Sequence, residues 1–306
     1  MKTVRRLVGV EKAVEFVKAC LYSAFLKDSE RPVSFLLVAD PESGKTGTLK
    51  QFCDHRAVHY LTSGTAYGIV RDLLPKIRNK EVRFLLMGDL NVLSGMSQKT
   101  KNQLLSFLSP LIEEGVLNLS SFVVSESNTV FVKCGFGATL TPGVLTDGRT
   151  RKWIESGFMS RLMVMSYSYS SDLVARIKAG QIRGLALEEP PVLPDSDYQV
   201  SIPSRYDTTI LDWSDKIGKA FKTNGIRAHR DLRQLAKALA LIRVFEEDLP
   251  RKDISVNLQD IADLGELFYY FNLRYRVMDK HWSADDEFTE LVFDNEDPGS
   301  AVSSSL

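Results

Sequence analysis

The sequence predicts an α/β protein: a parallel sheet sandwiched by helices, followed by a small α-helical lid domain. Three observations carry this. Phe35-Leu36-Leu37-Val38 is a continuous apolar run that leads straight into Ala39-Asp40-Pro41-Glu42-Ser43-Gly44-Lys45-Thr46, a strand delivering a glycine-lysine-threonine loop. Strand-like runs then alternate with helical periodicity to about residue 190, the pattern of a parallel sheet with helical crossovers. Beyond a proline-rich stretch the periodicity becomes almost wholly helical.

Taken in order, Val10 to Leu26 places Val14, Phe16, Val17, Cys20, Leu21, Ala24 and Phe25 at helical spacing, which predicts an N-terminal amphipathic helix. Val33 to Val38 is the strand that feeds the loop, and Thr46 to Cys53 begins the helix after it. A short strand at Ala57 to Leu61 and a helix at Tyr67 to Ile77, interrupted or kinked at Pro75, come next. Val82 to Met87 is a second buried strand, ending at Gly88-Asp89. Gln98 to Glu114 reads as a helix stopped by Gly115, and Val116 to Val132 as β-rich pieces forming a hairpin. Phe136 to Leu140, capped by Thr141-Pro142-Gly143, and Leu162 to Tyr167 complete the strands. Several are hydrophobic throughout, which calls for a sheet covered on both faces.

Glu188 to Pro203, with four prolines, reads as an ordered connector. Ile210–Phe221, Ala228–Phe245 and Leu258–Arg276 read as helices. The expected division is a P-loop NTPase domain over residues 1–190, a helical domain over 204–280 and a disordered, acidic then serine-rich tail over 294–306. No internal repeat is visible.

With 306 residues, 44% hydrophobic and 25% charged, the chain can bury a substantial core and has an ordinary globular composition. Basic and acidic residues balance at 39 each, so bulk charge does not mark a nucleic-acid binder. Cys20, Cys53 and Cys134 lie far apart without a CxxC pair, which argues against a disulfide framework or a zinc site. Glu11 and Lys12 interrupt the apolar stretch after the N-terminal basic residues before a signal-peptide core forms. No apolar run approaches the ~20 residues of a membrane span. The expectation is a cytoplasmic protein without a membrane partner.

In the Ala39–Thr46 loop, Gly44 lets backbone N–H groups close around a β-phosphate, Lys45 reaches the β- and γ-phosphates, and Thr46 offers its hydroxyl to Mg²⁺. Ala39 stands where the pattern has glycine. A chance match to the relaxed pattern in a chain this long has odds of roughly one or two in a hundred. The ligands implied are ATP and Mg²⁺, with residues Ala39, Asp40, Pro41, Glu42, Ser43, Gly44, Lys45, Thr46 and Gly47 binding the nucleotide. Asp89, at the end of the second buried strand, is the candidate carboxylate for the Mg²⁺ shell, with Thr46 as the other metal residue.

The order of these parts resembles the AAA+ ATPases, in feel the MoxR and minichromosome-maintenance branches, over about residues 10 to 280. The loop aligns without gaps to the family's proline-containing version, Pro41 matching its second proline and Glu42 replacing a usual glycine. Ala138-Thr139-Leu140-Thr141-Pro142 resembles the sensor-1 strand tip, with Thr141 the first candidate to contact the γ-phosphate and attacking water, and Thr139 the second. Trp153 to Leu162, containing Gly157-Phe158-Met159-Ser160-Arg161, resembles the run that presents an arginine finger to a neighbouring subunit. Arg227 to Ala240 resembles the sensor-2 helix; Arg227 fits the spacing best, with Arg230 and Arg233 also at turn spacing from each other. Ile254 to Ile261 is similar to the opening of the last lid helix. The resemblance implies a homo-oligomeric ring or filament, most often of six subunits.

The family's strand end is an Asp-Glu pair, whereas here it is Met87-Gly88-Asp89-Leu90-Asn91. Either Asp89 is the magnesium residue and the base is missing or supplied by Asn91 or another group, or Gly88 takes the magnesium position and Asp89 the base position. Both alignments imply slow hydrolysis, since general-base assistance is worth roughly 10²–10⁴ in rate. The function expected is an oligomeric ATPase that remodels a protein or nucleic-acid partner. Its rivals are a nucleotide-gated scaffold with little turnover and a replication or mobile-element ATPase. For the last, Lys99, Lys101, Arg149, Arg151 and Lys152 would suit a pore or a DNA contact.

Overall fold

The structure, a computed structural model, describes residues 4–5, 7, 9–120, 125–145, 157–183, 187–220, 224–250 and 252–271. The expected tail over 294–306, the last residues of the helical domain, and Arg149, Arg151 and Lys152 lie outside these residues.

The chain opens with a two-residue strand β1 (Val4–Arg5) and helix α1 (Glu11–Tyr22). Strand β2 (Phe35–Ala39) leads through the loop into the short helix α2 (Lys45–Lys50), then β3 (Val58–Leu61). Helices α3 (Ala66–Asp72) and α4 (Leu74–Arg78) show the interruption expected near Pro75. The break falls at Leu73, because Pro75 lacks an N–H and settles in the first turn of α4. Strand β4 (Phe84–Met87) and helix α5 (Gln98–Ile112) follow. The Gly115 N–H closes the C-terminus of α5 on the Pro110 carbonyl at 2.7 Å, the stop the sequence predicts.

β5 (Val116–Ser120) and β6 (Ser125–Val132) form the expected hairpin, antiparallel and irregular in register between Val116 and Asn118. Then come β7 (Gly135–Leu140), the short α6 (Pro142–Leu145) and β8 (Met163–Tyr167). Helix α7 (Ser171–Arg183) was not read from the sequence. Its first turn is capped by the Ser170 hydroxyl, which accepts from the Leu173 N–H at 3.2 Å. Two-residue strands β9 (Leu187–Glu188) and β10 (Val200–Ser201) precede helices α8 (Asp207–Ala220) and α9 (Ile226–Glu246). Strand β11 (Ile254–Ser255) and helix α10 (Leu258–Phe271) end the described chain.

The main sheet has five parallel strands in the order β3-β4-β7-β2-β8. Alternate residues of each strand enter opposite cores. Phe35, Leu37, Phe84, Leu86, Met163 and Met165 pack with α1, α2, α9 and α10, whereas Leu36, Val38, Leu85, Met87, Ala138 and Val164 pack with α3 to α5. The expected α/β architecture with its helical region is therefore observed. Leu232, Leu235, Ala236 and Leu239 of α9 share one buried core with Phe16, Val17 and Cys20 of α1. Each fully buried side chain of this size contributes about 1.5–3 kcal/mol of transfer free energy. The connector is tied in as well, by parallel pairing of β10 with β11 and of Leu26 with Tyr198. Among the described residues, no helix is long and apolar enough to cross a membrane.

Strand order locates the site. Strand β2 lies between β7 and the edge strand β8, and the chain leaves it for the far edge of the sheet, passing over β7 and β4. Such a reversal opens a crevice beyond the carboxyl ends of the strands. The loop from Ala39 to Gly44 occupies that position.

Candidate nucleotide-binding site

The loop closes on its own lysine. Lys45 Nζ is nearly buried and donates to the carbonyls of Ala39 (2.6 Å) and Asp40 (2.5 Å) and to the Ser43 hydroxyl (3.3 Å). Burial lowers its pKa, and the charges of Asp89 and Asp40 oppose that shift. The ammonium is thus aimed into the bend of the loop, at the height where a phosphate would enter. Gly44 has φ +79°, a backbone conformation that disfavours a side chain. A Cβ there would also press on the Tyr169 hydroxyl at 3.1 Å. Tyr167 and Tyr169, at and just beyond the end of β8, both donate to the Ser43 carbonyl (3.1 and 2.7 Å). They brace the loop from the neighbouring strand, a role not read from the sequence. Glu42 has φ +61°, so the departure from glycine noted at this position carries left-handed backbone on a non-glycine residue.

The other strand ends converge on one carbonyl. Gly88 O accepts from the Thr46 hydroxyl at 3.1 Å and from the Thr139 hydroxyl. Gly88 is the first residue after β4 and is buried, while Asp89 is exposed and its carboxylate accepts from the Asn91 N–H at 2.9 Å. A Cβ on Gly88 would sit 1.8 Å from Tyr60 Oη and 3.4 Å from Thr46 Cγ2. Thr46 therefore faces position 88, and Tyr60 of β3 fills the space that a side chain at 88 would use. Thr141 falls one residue beyond the last paired position of β7, where Leu140 lies opposite Val38. It is half-buried at the rim of the crevice, and its carbonyl starts α6 by accepting from the Val144 N–H at 3.1 Å.

These residues fit a nucleotide's phosphates: a left-handed glycine turn, a lysine held at the loop, and hydroxyls at the start of α2 and the end of β7. They fit Mg²⁺ poorly. A magnesium ion bound with phosphates draws on one or two carboxylates, and the residue facing Thr46 is a glycine. Among the described residues no cluster of three or more His, Cys, Asp or Glu side chains could hold a metal.

Arg161 and Arg227 are brought together elsewhere. Arg161 precedes β8, whose first residue Met163 pairs with Phe35, the first residue of β2. It therefore sits at the amino-terminal edge of the sheet, a strand length of roughly 15 Å from the loop at five residues of ~3.3 Å. There its guanidinium donates to the Gly157 carbonyl (2.7 Å) and pairs with Glu114 (3.3 Å). Arg227 donates to the Ser160 hydroxyl at 3.0 Å and lies 3.4 Å from Glu113. Arg230 joins them through Glu113 at 2.6 Å, whereas Arg233 turns away to Asp207. Glu113, which the sequence did not single out, also meets the buried Arg31 at 3.2 Å.

Lys101 is buried in α5, whereas Lys99 is exposed on the same helix. Residues two apart on a helix do not face one way.

No protein-family model matches this sequence, and no curated protein matches it. Among solved structures, one that is similar is the crystal structure of a full-length MCM homolog from Methanopyrus kandleri, at 15% identity and a TM-score of 0.48. The likeness covers 87% of this chain and 56% of that one, so this chain spans little more than half the length of the protein it matches.

Proposed function

We propose that this chain is an ATP-binding, AAA+-like ATPase that works as a homo-oligomer and couples its nucleotide state to a protein or nucleic-acid partner. The observation that carries the reading is Lys45, held inside the Ala39–Gly44 bend at the carboxyl end of β2. In this reading Lys45 exchanges its loop oxygens for β- and γ-phosphate oxygens. Tyr167 and Tyr169 keep the bend in shape through Ser43. Thr139 and Thr46 fix the strand end beneath the γ-phosphate, and Thr141 meets that phosphate from the rim. Asp89, exposed beside this end and felt electrostatically by Lys45, orients the attacking water. Arg161 and Arg227, gathered at the far edge of the sheet, serve the loop of a neighbouring copy.

The strand end favours a second reading, a nucleotide-gated scaffold with little turnover. Asp89 is shorter than the glutamate it would replace and is already engaged in capping Asn91.

One experiment separates the two: ATP binding and ATP turnover across a protein concentration series, with Lys45→Ala and Arg161→Ala alongside. Turnover per subunit that rises with concentration and is lost in both variants supports the ATPase. Binding lost only in Lys45→Ala, with negligible turnover throughout, supports the scaffold. Undiminished binding in Lys45→Ala would sink both.

A further inference from the structure

The place where a metal's carboxylate partner would stand holds a phenol instead. We propose that this site binds its nucleoside triphosphate without needing a divalent cation, the Tyr60 hydroxyl standing as a donor beside the phosphates. The inference rests on the nucleotide reading above and concerns how that site is controlled.

Position 88 is the one that matters. Its carbonyl accepts from both Thr46 and Thr139, and a Cβ there would lie 3.4 Å from the Thr46 methyl. A side chain at 88 would therefore reach the ligand that Thr46 reaches. Gly88 supplies none, and Tyr60 leaves no room for one: the added Cβ would be 1.8 Å from Oη and 2.9 Å from Cζ. A tyrosine ring has few rotamers to escape by, and β3 is locked beside β4 with Tyr60 opposite Leu86. Asp89 does not substitute. It lies exposed beyond the end of β4, and its carboxylate is engaged by the Asn91 N–H at 2.9 Å.

A phenol and a carboxylate do opposite things at this spot. Magnesium is a hard cation that selects carboxylate and water oxygens. A neutral phenol offers it little and instead gives a proton to an acceptor, such as a phosphate oxygen or a water upon it. A tyrosine hydroxyl keeps its proton at neutral pH and so remains a donor. Among the described residues Tyr60 Oη has no hydrogen-bond partner, which leaves that donor for a ligand. The phosphate charge is then met by Lys45 and by the arginines of a neighbouring copy.

The test is titration of the full chain with the fluorescent N-methylanthraniloyl analogue of ATP, in excess Mg²⁺ and in excess EDTA. The expected dissociation constants agree within about threefold. Weakening of more than about tenfold in EDTA overturns the proposal while leaving the nucleotide reading intact, provided Lys45→Ala abolishes binding in Mg²⁺. A wild-type chain that binds no analogue in either condition overturns both. A double variant, Tyr60→Ala with Gly88→Asp, restores the carboxylate and the space for it. It is expected to bind at least about tenfold more tightly in Mg²⁺ than in EDTA, and equal affinity in a folded double variant counts against the role given to Tyr60. If it does not fold, the wild-type comparison decides alone.

Discussion

Arg31 donates two hydrogen bonds to Asp231, at 2.8 and 3.1 Å, although the two residues are 200 positions apart and both are buried. One lies in the segment just before β2 and the other in α9, so the pair fastens the helical region to the base of the sheet. Asp231→Ala leaves the Arg31 guanidinium buried against Glu113 alone, and breaking such a pair costs about 3–5 kcal/mol. Urea unfolding should show that loss. Replacing both partners together, Arg31→Met with Asp231→Leu, should cost clearly less, because no charge is then stranded. A double variant worse than the single one would contradict this account.

Glu113 predicts how stability follows pH. Burial alone would raise its pKa, but the hydrogen bond from Arg230 and the charges of Arg31, Arg230 and Arg227 outweigh that and hold it below the ordinary glutamate value of 4.5. A carboxyl depressed in the folded state contributes stability above its unfolded pKa and loses it as pH falls through the folded one. The destabilisation caused by Glu113→Gln should therefore be largest above about pH 5 and shrink as acid is added. Chemical unfolding of both proteins at several pH values measures the difference, and a gap constant down to pH 3 would refute the assignment.

Glu42 holds a left-handed φ of +61° on an exposed acidic side chain inside the phosphate loop. Strain and charge act in the same direction here. A non-glycine residue in this region costs about 1–2 kcal/mol, and a carboxylate beside incoming phosphates repels them. Glu42→Gly should tighten ATP binding by about threefold to tenfold, with the gain shrinking at high salt. Folding stability should move by less than about 1 kcal/mol, since glycine also frees the unfolded chain. Unchanged affinity at low salt would show that the loop already accommodates the carboxylate.

What the sequence made legible follows from which signals are local. A buried run ending in a glycine-lysine-threonine loop is written in twelve consecutive residues, and the structure places β2 and the loop accordingly. Strand β4 and the stop of α5 at Gly115 are equally local. Tyr60, Tyr167 and Tyr169 matter only because parallel pairing sets β3 beside β4 and β8 beside β2, and no spacing along the chain reveals that. The same holds for Glu113, whose partners Arg31 and Arg230 come from opposite ends of the sequence. Helix α7 was within reach of the sequence: Leu173, Val174 and Ile177 recur at helical spacing, although most of its described side chains are exposed.

The last prediction uses the separation between the arginines and the loop. Arg161 and Arg227 gather around Ser160, Glu113 and Glu114 at the amino-terminal edge of the sheet, while Lys45 lies beyond the carboxyl ends of the strands. A guanidinium at that edge cannot reach its own chain's loop without dismantling β8, so any contact with phosphate must be made across a boundary between copies. Two crippled variants should then complement each other. Lys45→Ala keeps its arginines but has no working loop, and Arg161→Ala with Arg227→Ala keeps its loop but has no arginines to lend. Mixed one to one, random assembly puts a working loop against working arginines at about a quarter of boundaries, provided the arrangement is head-to-tail. ATP turnover should appear in the mixture at a measurable fraction of the wild-type rate, although each variant alone is inactive. A mixture as inactive as its components, formed from variants that still co-assemble, would place the arginines outside the reaction and leave them as the clamp on Glu113 and Glu114.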